Sequence, residues 1–416
     1  MLAVAIVCAS LLVAAVPGPA QAKERVVRVS GWGGTDIAIV EELIDRFVKP
    51  QVAKEGIVVK YEPVADEFST YLMNSLSAGT APDLFYVDIY WSHGVFASGA
   101  VEPLDSYLAK SRVLKARDIV PDLLKAFTLN GKIYGIPKDF NTLALFYNKD
   151  LFDAAHVPYP NANDNWNTLT EKLRKVTNKS KGIYGIALTP EFARFGAFAY
   201  AAGFKPFDAQ GHTDLSQPAF ADAFKWYTGL VREGIGVLPA DLGQSWGGGA
   251  FATEKVACAV EGAWMLGFLR DQAPNLPYGV TLLPKNPKTG KRGNIIYTVS
   301  WSMNAASKDK DAAFRVLEAL TSPEAQQWIL ERGLALPSRA KLANNPYFQK
   351  GTPEAQANKI VFAGASDGYV YPFSFGKYGG DWMTPINEAL AAVMSGKATA
   401  DQVLPDLTAR LRQLTK

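Results

Sequence analysis

The order of the first elements limits the fold of this chain more than any other feature. Val26, Val27 and Val29 read as a strand. In "TDIAIVEELIDRF", Ile37, Val40, Leu43, Ile44 and Phe47 recur at helical spacing, and Thr35 or Asp36 can cap the start. Ile57 to Tyr61 is a second strand, a helix follows through Tyr71 and Leu76, and Leu84 to Val87 is a third strand. Strand, helix, strand, helix, strand predicts a parallel sheet, because parallel neighbours need a long crossover. A length of 416 residues suggests two or three domains, taking about 150 residues for each.

The third strand runs directly into a carboxylate, Asp88, with Trp91 three residues on. In open α/β sheets ligands bind beyond the carboxyl ends of strands. The stretch therefore predicts a site rim, with one residue to hydrogen-bond and one to stack.

Later segments repeat the α/β alternation. "NGKIYGIPKDFNTLALFYNKDLF" predicts two short strands separated by Pro137 to Asn141. Lys255 to Val260 is a further strand, and "YGVTLLPKNPKTGKRGNIIYTVSWSMN" is strand, polar loop, strand. Helices are expected over 309–320, from Pro323 to Gly333, from Pro385 to Met394 and from Asp401 to Leu414.

Leu2 to Val16 is almost wholly apolar, Pro17-Gly18-Pro19 breaks it, and Ala20-Gln21-Ala22 has the form of a cleavage site. This predicts a secretory signal peptide over 1–22. Cys8 falls within it, so Cys258 stands alone, has no internal disulfide partner and is expected to be an inert buried thiol. With 43 basic and 40 acidic residues and no dense basic cluster, nucleic acid is an unsuitable partner.

Enzyme motifs fare poorly. "GASDG", 364–368, matches a nucleophile elbow, but no helix pattern and no His follow it. "GWGGTD" follows a strand as a dinucleotide loop would, but Asp36 holds the place of the third glycine and would repel a pyrophosphate. His93, His156 and His212 are scattered, so no transition-metal site is expected, although Tyr and Asp leave an oxygen-ligated ferric site open. Asp66, Glu67, Asp88, Glu191, Glu261 and Asp381 lie near aromatic or small residues. Two such carboxylates cleave glycosides, yet the same groups bind sugar without cleaving it.

From residue 23 onward the chain resembles the bacterial extracellular solute-binding proteins of ABC importers, in the maltose- and trehalose-binding group. Four stretches carry the resemblance: "AGTAPDLFYVDIYW", "NTLALFYNKDLF", "FATEKVACAVEGAW" and "WSMNAASKDKDAAFRVLEALTSPEAQQWI". Lys138 departs from it, standing where an apolar residue is usual. The resemblance implies an α/β, two-lobe periplasmic-binding-protein fold, each lobe a mainly parallel sheet flanked by helices. The first lobe would hold 23–138 and 295–342, and the second 139–294 and 343–416. Crossings are expected at Pro137 to Asn141 and Pro284 to Gly293.

It further implies a non-enzymatic receptor that binds a di- or oligosaccharide between the lobes and delivers it to ABC permease subunits. It would act as a monomer, without a cofactor, in the periplasm or at the outer face of the cytoplasmic membrane. Candidate ligand contacts are Asp36, Asp88, Trp91, Asn141, Glu191, Trp264, Trp301, Tyr378, Asp381 and Trp382. Asp36, Asp88 and Glu191 have helix capping as the alternative role, and Trp91 has core anchoring. The alternatives for the whole chain are a non-sugar solute on the same scaffold, such as a polyamine or ferric ion, or a secreted glycoside hydrolase.

Overall fold

The first predicted strand begins as the sequence suggests and runs parallel to the second. The structure, a computed structural model, describes residues 24–33, 35–65 and 67–416. The expected signal peptide over 1–22 lies outside the described residues, as does Asp66.

Two sheets form the frame. The first contains β1 (Arg25–Ser30), β2 (Ile57–Tyr61), β3 (Leu84–Asp88) and β4 (Gly135–Asn141). The second contains β5 (Ala144–Asn148), β6 (Tyr184–Ala187), β7 (Gly236–Val237), β8 (Val256–Glu261) and β9 (Tyr278–Thr281). The chain then returns to the first sheet through the long β10 (Gly293–Met303), and β11 (Tyr369–Pro372) pairs with the start of β10. Strand order is β11-β10-β3-β1-β2 with β4 on the other edge of β10, and β9-β5-β8-β6-β7 in the second sheet. The molecule thus has two lobes, each built on one sheet.

Both sheets are mixed, where the sequence predicted mainly parallel ones. β1 runs parallel to β2 and β3, and β6 runs parallel to β7 and β8, because helices return the chain within each lobe. The strands next to the crossings differ. β10 is antiparallel to β3 and β4, and β5 is antiparallel to β8 and β9.

Helices cover the sheets. Among them are α1 (Thr35–Leu43), α2 (Phe68–Ser77), α3 (Ser92–Ala97), α4 (Phe192–Ala201), α5 (Pro218–Arg232), α6 (Gly247–Ala252), α7 (Trp264–Gln272), α8 (Lys310–Leu320), α9 (Pro323–Glu331), α10 (Gly380–Met394) and α11 (Ala400–Leu414). The α1 spacing buries Val40 and Leu43, and a π-turn over Ile44–Val48 extends it. Asp309 caps α8 by accepting from the Ala312 N–H at 3.0 Å, and Ser322 caps α9 through Ala325 at 3.2 Å. In β3, Leu84, Phe85, Tyr86 and Val87 are all buried. Each such apolar side chain contributes about 1.5–3 kcal/mol, which fixes the strand that carries Asp88.

Two boundaries differ from expectation. Pro137 lies inside β4, and the break falls later, at Thr142–Leu143. Proline is tolerated there because β4 is an edge strand and its register with β10 shifts at Val299/Ser300. α10 begins at Gly380, five residues before Pro385, which sits inside the helix.

Candidate functional site

The carboxyl ends of the first-lobe strands form one wall. Trp32 follows β1, Glu67 precedes α2, and Asp88 ends β3 with Tyr90 and Trp91 just beyond. With Ala65, Phe68 and Ser69 they line an open space of ≈ 430 Å³. Trp32 is braced edge-on by Tyr86 at 4.9 Å and by Phe68 at 5.4 Å.

Asp88 is half-buried, and one carboxyl oxygen accepts from the Tyr90 N–H at 3.1 Å. Burial pushes its carboxyl up to about 7, the Tyr90 hydrogen bond opposes this, and Asp139 adds to it. The sheet explains the last effect. Val299 in β10 lies opposite Asp88 on one side and opposite Asp139 on the other, so both acids occupy the same face. Asp139 is raised by its own burial, and Lys138, which pairs with it, acts in the opposite direction.

The second wall lies at the end of the central strand of the other sheet. All six residues of β8 are buried, and the last is Glu261. Its Oε2 accepts from Arg194 Nη2 at 2.7 Å, from Arg194 Nε at 3.2 Å and from Trp264 Nε1 at 3.0 Å. The Arg194 guanidinium lies 5.3 Å from the centre of the Trp264 ring. Burial alone would loosen the Arg194 proton, but Glu261 more than offsets it and the group is held more firmly than usual. Gly262 makes this possible, since a Cβ there would fall 2.5 Å from the indole.

Aromatic rings join the two walls. Trp264 meets Tyr297 edge-on at 5.5 Å, Tyr297 meets Phe373 at 5.0 Å, Phe373 meets Tyr90 at 5.8 Å, and Tyr90 meets Trp91 at 6.4 Å. Tyr297 is supplied by β10, the strand that passes between the lobes. The result is a chain of ring contacts with carboxylates at one end and a guanidinium at the other, with Phe373 buried within it and Trp91, Tyr90, Tyr297 and Trp264 partly exposed. The partly exposed rings suit the C–H faces of a polyol, and the charged groups its hydroxyl edges.

The residues singled out from sequence separate into groups. Asp88 and Trp91 stand on the first wall and Trp264 on the second. Glu191 is exposed at the start of α4, where its side chain makes no cap. Asn141 is buried, and its amide is engaged with the chain: Oδ1 accepts from the Ala263 N–H at 2.9 Å and Nδ2 donates to the Leu334 carbonyl at 3.5 Å. Tyr378 packs on Phe207 at 5.9 Å with Lys377 over its ring, and Asp381 is exposed in the first turn of α10. The backbone of Asp36 is in the first turn of α1, and its side chain lies outside the described residues.

Trp301 and Trp382 present no face to either wall. Trp301 is 2% exposed and packs on Tyr86 at 4.3 Å. β10 continues to Met303 and pairs on both edges at Trp301, so the ring lies within the sheet and not at its end. Trp382 is 0% exposed, stacks on Phe375 at 4.5 Å and donates to Thr213. It belongs to the first turn of α10, which turns the ring into the core.

Arg194, Tyr297, Tyr90, Phe373, Trp32 and Asp139 were not singled out. Glu261 was noted only as one of several acids, yet the rule that drew attention to Asp88 applies to it equally. It ends a buried strand, and Trp264 is three residues on.

Among the described residues there is no group of three or more His, Cys, Asp or Glu that could hold a metal ion, and no helix long and apolar enough to cross a membrane. Cys258 is buried and unpaired, and burial pushes its thiol well up.

Comparison with known proteins gives a consistent result. A family model described as bacterial extracellular solute-binding protein matches residues 42–362. A protein of Brucella abortus (strain 2308) described as a binding protein is 27% identical, over 98% of this chain and 97% of its own length. The maltotriose-binding protein of Pyrococcus abyssi is 27% identical, over 70% of this chain and 61% of its own. Among solved structures, an ABC substrate-binding protein from Listeria monocytogenes in complex with cycloalternan has a TM-score of 0.83 at 21% identity. That match covers 94% of this chain and 99% of the other.

Proposed function

We propose, since the chain belongs to the bacterial extracellular solute-binding protein family, that it is the carbohydrate-binding component of an ABC importer. The ligand is a di- or oligosaccharide held between the lobes, outside the cytoplasmic membrane, and handed to permease subunits without chemical change. The observation that carries this reading is the run of rings from Trp91 to Trp264, flanked by Asp88 and by the Arg194–Glu261 pair. Relatives named for maltotriose and for galactooligosaccharide support the ligand class.

The mechanism is closure. The moving bodies are the two lobes, each carried by its own sheet, and the chain passes between them at Thr142–Leu143 and again where it returns through β10. Sugar bridging both walls favours the closed arrangement by the difference in its affinity for the two states. Asp88 and Glu67 offer acceptors to hydroxyls, Arg194 offers donors, and the rings displace water. Burying a hydroxyl unpaired costs about 1–3 kcal/mol, so ligands whose hydroxyls miss these groups are rejected.

A thermal-shift and calorimetric screen over mono-, di- and oligosaccharides, sugar alcohols and spermidine tests the proposal. At a ligand concentration of about 100 Kd, stabilisation of about 2.7 kcal/mol is expected. The bound sugar should be recovered intact. No shift with any sugar, or a shift with spermidine alone, overturns the carbohydrate reading.

A further inference from the structure

We propose that Glu261 is a positioning residue for ligand binding. Its buried carboxylate fastens Arg194 and Trp264 into one plate, so affinity depends on a side chain that does not meet the ligand. The proposal rests on the reading that Trp264 stacks on a sugar.

Glu261 is 1% exposed, which removes it from direct contact with solute. A carboxylate at the end of a core strand also needs a reason, because a buried ion pair adds little stability over well-packed apolar residues. Its geometry supplies one. A single oxygen, Oε2, gathers three N–H donors from two side chains, Arg194 and Trp264. The other oxygen fits against Gly247, where a Cβ would fall 2.6 Å from it.

The contacts close a circuit. Arg194 Nη1 donates to the Ala193 carbonyl at 3.2 Å, and the Tyr297 hydroxyl donates to the same carbonyl. Tyr297 then meets Trp264 edge-on at 5.5 Å, and Trp264 returns to Glu261. Every member is held by two others, so the indole has one orientation.

The circuit also decides what the plate offers. The indole N–H of Trp264 is taken by Glu261, so the ring presents its face and no donor. Arg194 uses three of the five N–H groups of a guanidinium on Glu261 and Ala193, its side chain also meets the Tyr297 hydroxyl, and only the remaining edge can serve a ligand hydroxyl. Stacking and donation are thereby fixed at one distance from each other, which selects sugars by the spacing between a ring face and an acceptor oxygen.

The test is a double-mutant cycle on a sugar that the unmodified chain binds. Glu261→Gln keeps size and an acceptor but loses the charge that holds Arg194, and Kd should rise by about tenfold or more while circular dichroism stays unchanged. In a Trp264→Ala background the same change should cost less than about threefold. An unchanged Kd, or an equal cost in both backgrounds, overturns the proposal, since a merely structural role is additive. If Glu261→Gln does not fold, Arg194→Lys, which keeps charge and removes the fork, enters the cycle with the same expectations.

A second readout needs no ligand and separates this inference from the sugar reading. The emission difference between the unmodified chain and Trp264→Phe should move to the red when Glu261→Gln is introduced. No movement overturns the locking whatever the ligand is.

Discussion

The two walls of the cleft begin from the same design and differ in how their acids are used. Each has a buried strand ending in a carboxylate with a tryptophan three residues later: Asp88 and Trp91, Glu261 and Trp264. Asp88 is half-buried and receives the Tyr90 N–H at 3.1 Å with the Ile89 N–H also acting on it, which leaves acceptor capacity facing open space. Glu261 is sealed, and its Oε2 is taken up by side chains of its own lobe. A strand-end acid can therefore meet the ligand or build the surface that does, and hydrogen-bond partners distinguish the two roles better than residue type.

The comparison breaks first where a tryptophan belongs to neither wall. Trp382→Ala should cost about 3–5 kcal/mol of stability, as for a large core deletion, and leave Kd unchanged at temperatures where the variant is folded. Chemical denaturation beside calorimetry measures both. A change in Kd at full folding would return Trp382 to the site.

Trp264→Ala should do the reverse, lowering affinity by about tenfold or more, roughly 1.4 kcal/mol, with little change in melting temperature. Calorimetric titration measures it, and unchanged affinity would remove the second wall from the site.

Asp88→Asn should weaken binding severalfold, about 1 kcal/mol, and it sharpens the contrast through pH. The folded carboxyl ionises at about 7, whereas an unfolded aspartate ionises near 3.9, roughly the free value. A raised folded pKa favours the fold fully below the lower value, and that contribution is lost as pH rises through the upper one. Besides burial, Asp139, Lys138 and the backbone N–H groups of Tyr90 and Ile89 act on it. Between pH 4 and 7 the unligated protein should thus lose stability from this group. Asp88→Asn should flatten that slope and raise the melting temperature at pH 8. An identical slope in the variant would mean that Asp88 is not the group responsible.

The smallest effect is expected at Glu191, exposed and uncapped at the start of α4. Glu191→Gln should alter stability by less than about 0.5 kcal/mol. Any larger loss of sugar affinity, read by the same titration, would place it on the second wall.

Much of the fold could be read from the chain because its signals are local. The α1 periodicity, the caps at Asp309 and Ser322, and the continuous apolar run before Asp88 depend on neighbours within a few residues. What could not be read depends on partners far away in sequence. Trp301 is a core ring because two strands flank it, and Asn141 is spoken for because Ala263 and Leu334 reach it. Arg194 carries no local mark, since its meaning comes from a carboxylate 67 positions on.

The Asn141 amide has one more consequence. It joins the end of β4 to Ala263, the residue before Trp264, and to Leu334, while Phe140 exchanges backbone hydrogen bonds with Leu336 at 2.9 Å in both directions. Three separate passages of the chain are pinned together at one spot, like blades at a rivet. For the closure proposed above, that rivet is the natural axis, and the indole beside it would then travel least while groups further from it would sweep furthest. Asn141→Ala should accordingly loosen the pivot and quicken sugar release in stopped-flow traces, and an unaltered release rate would place the axis elsewhere.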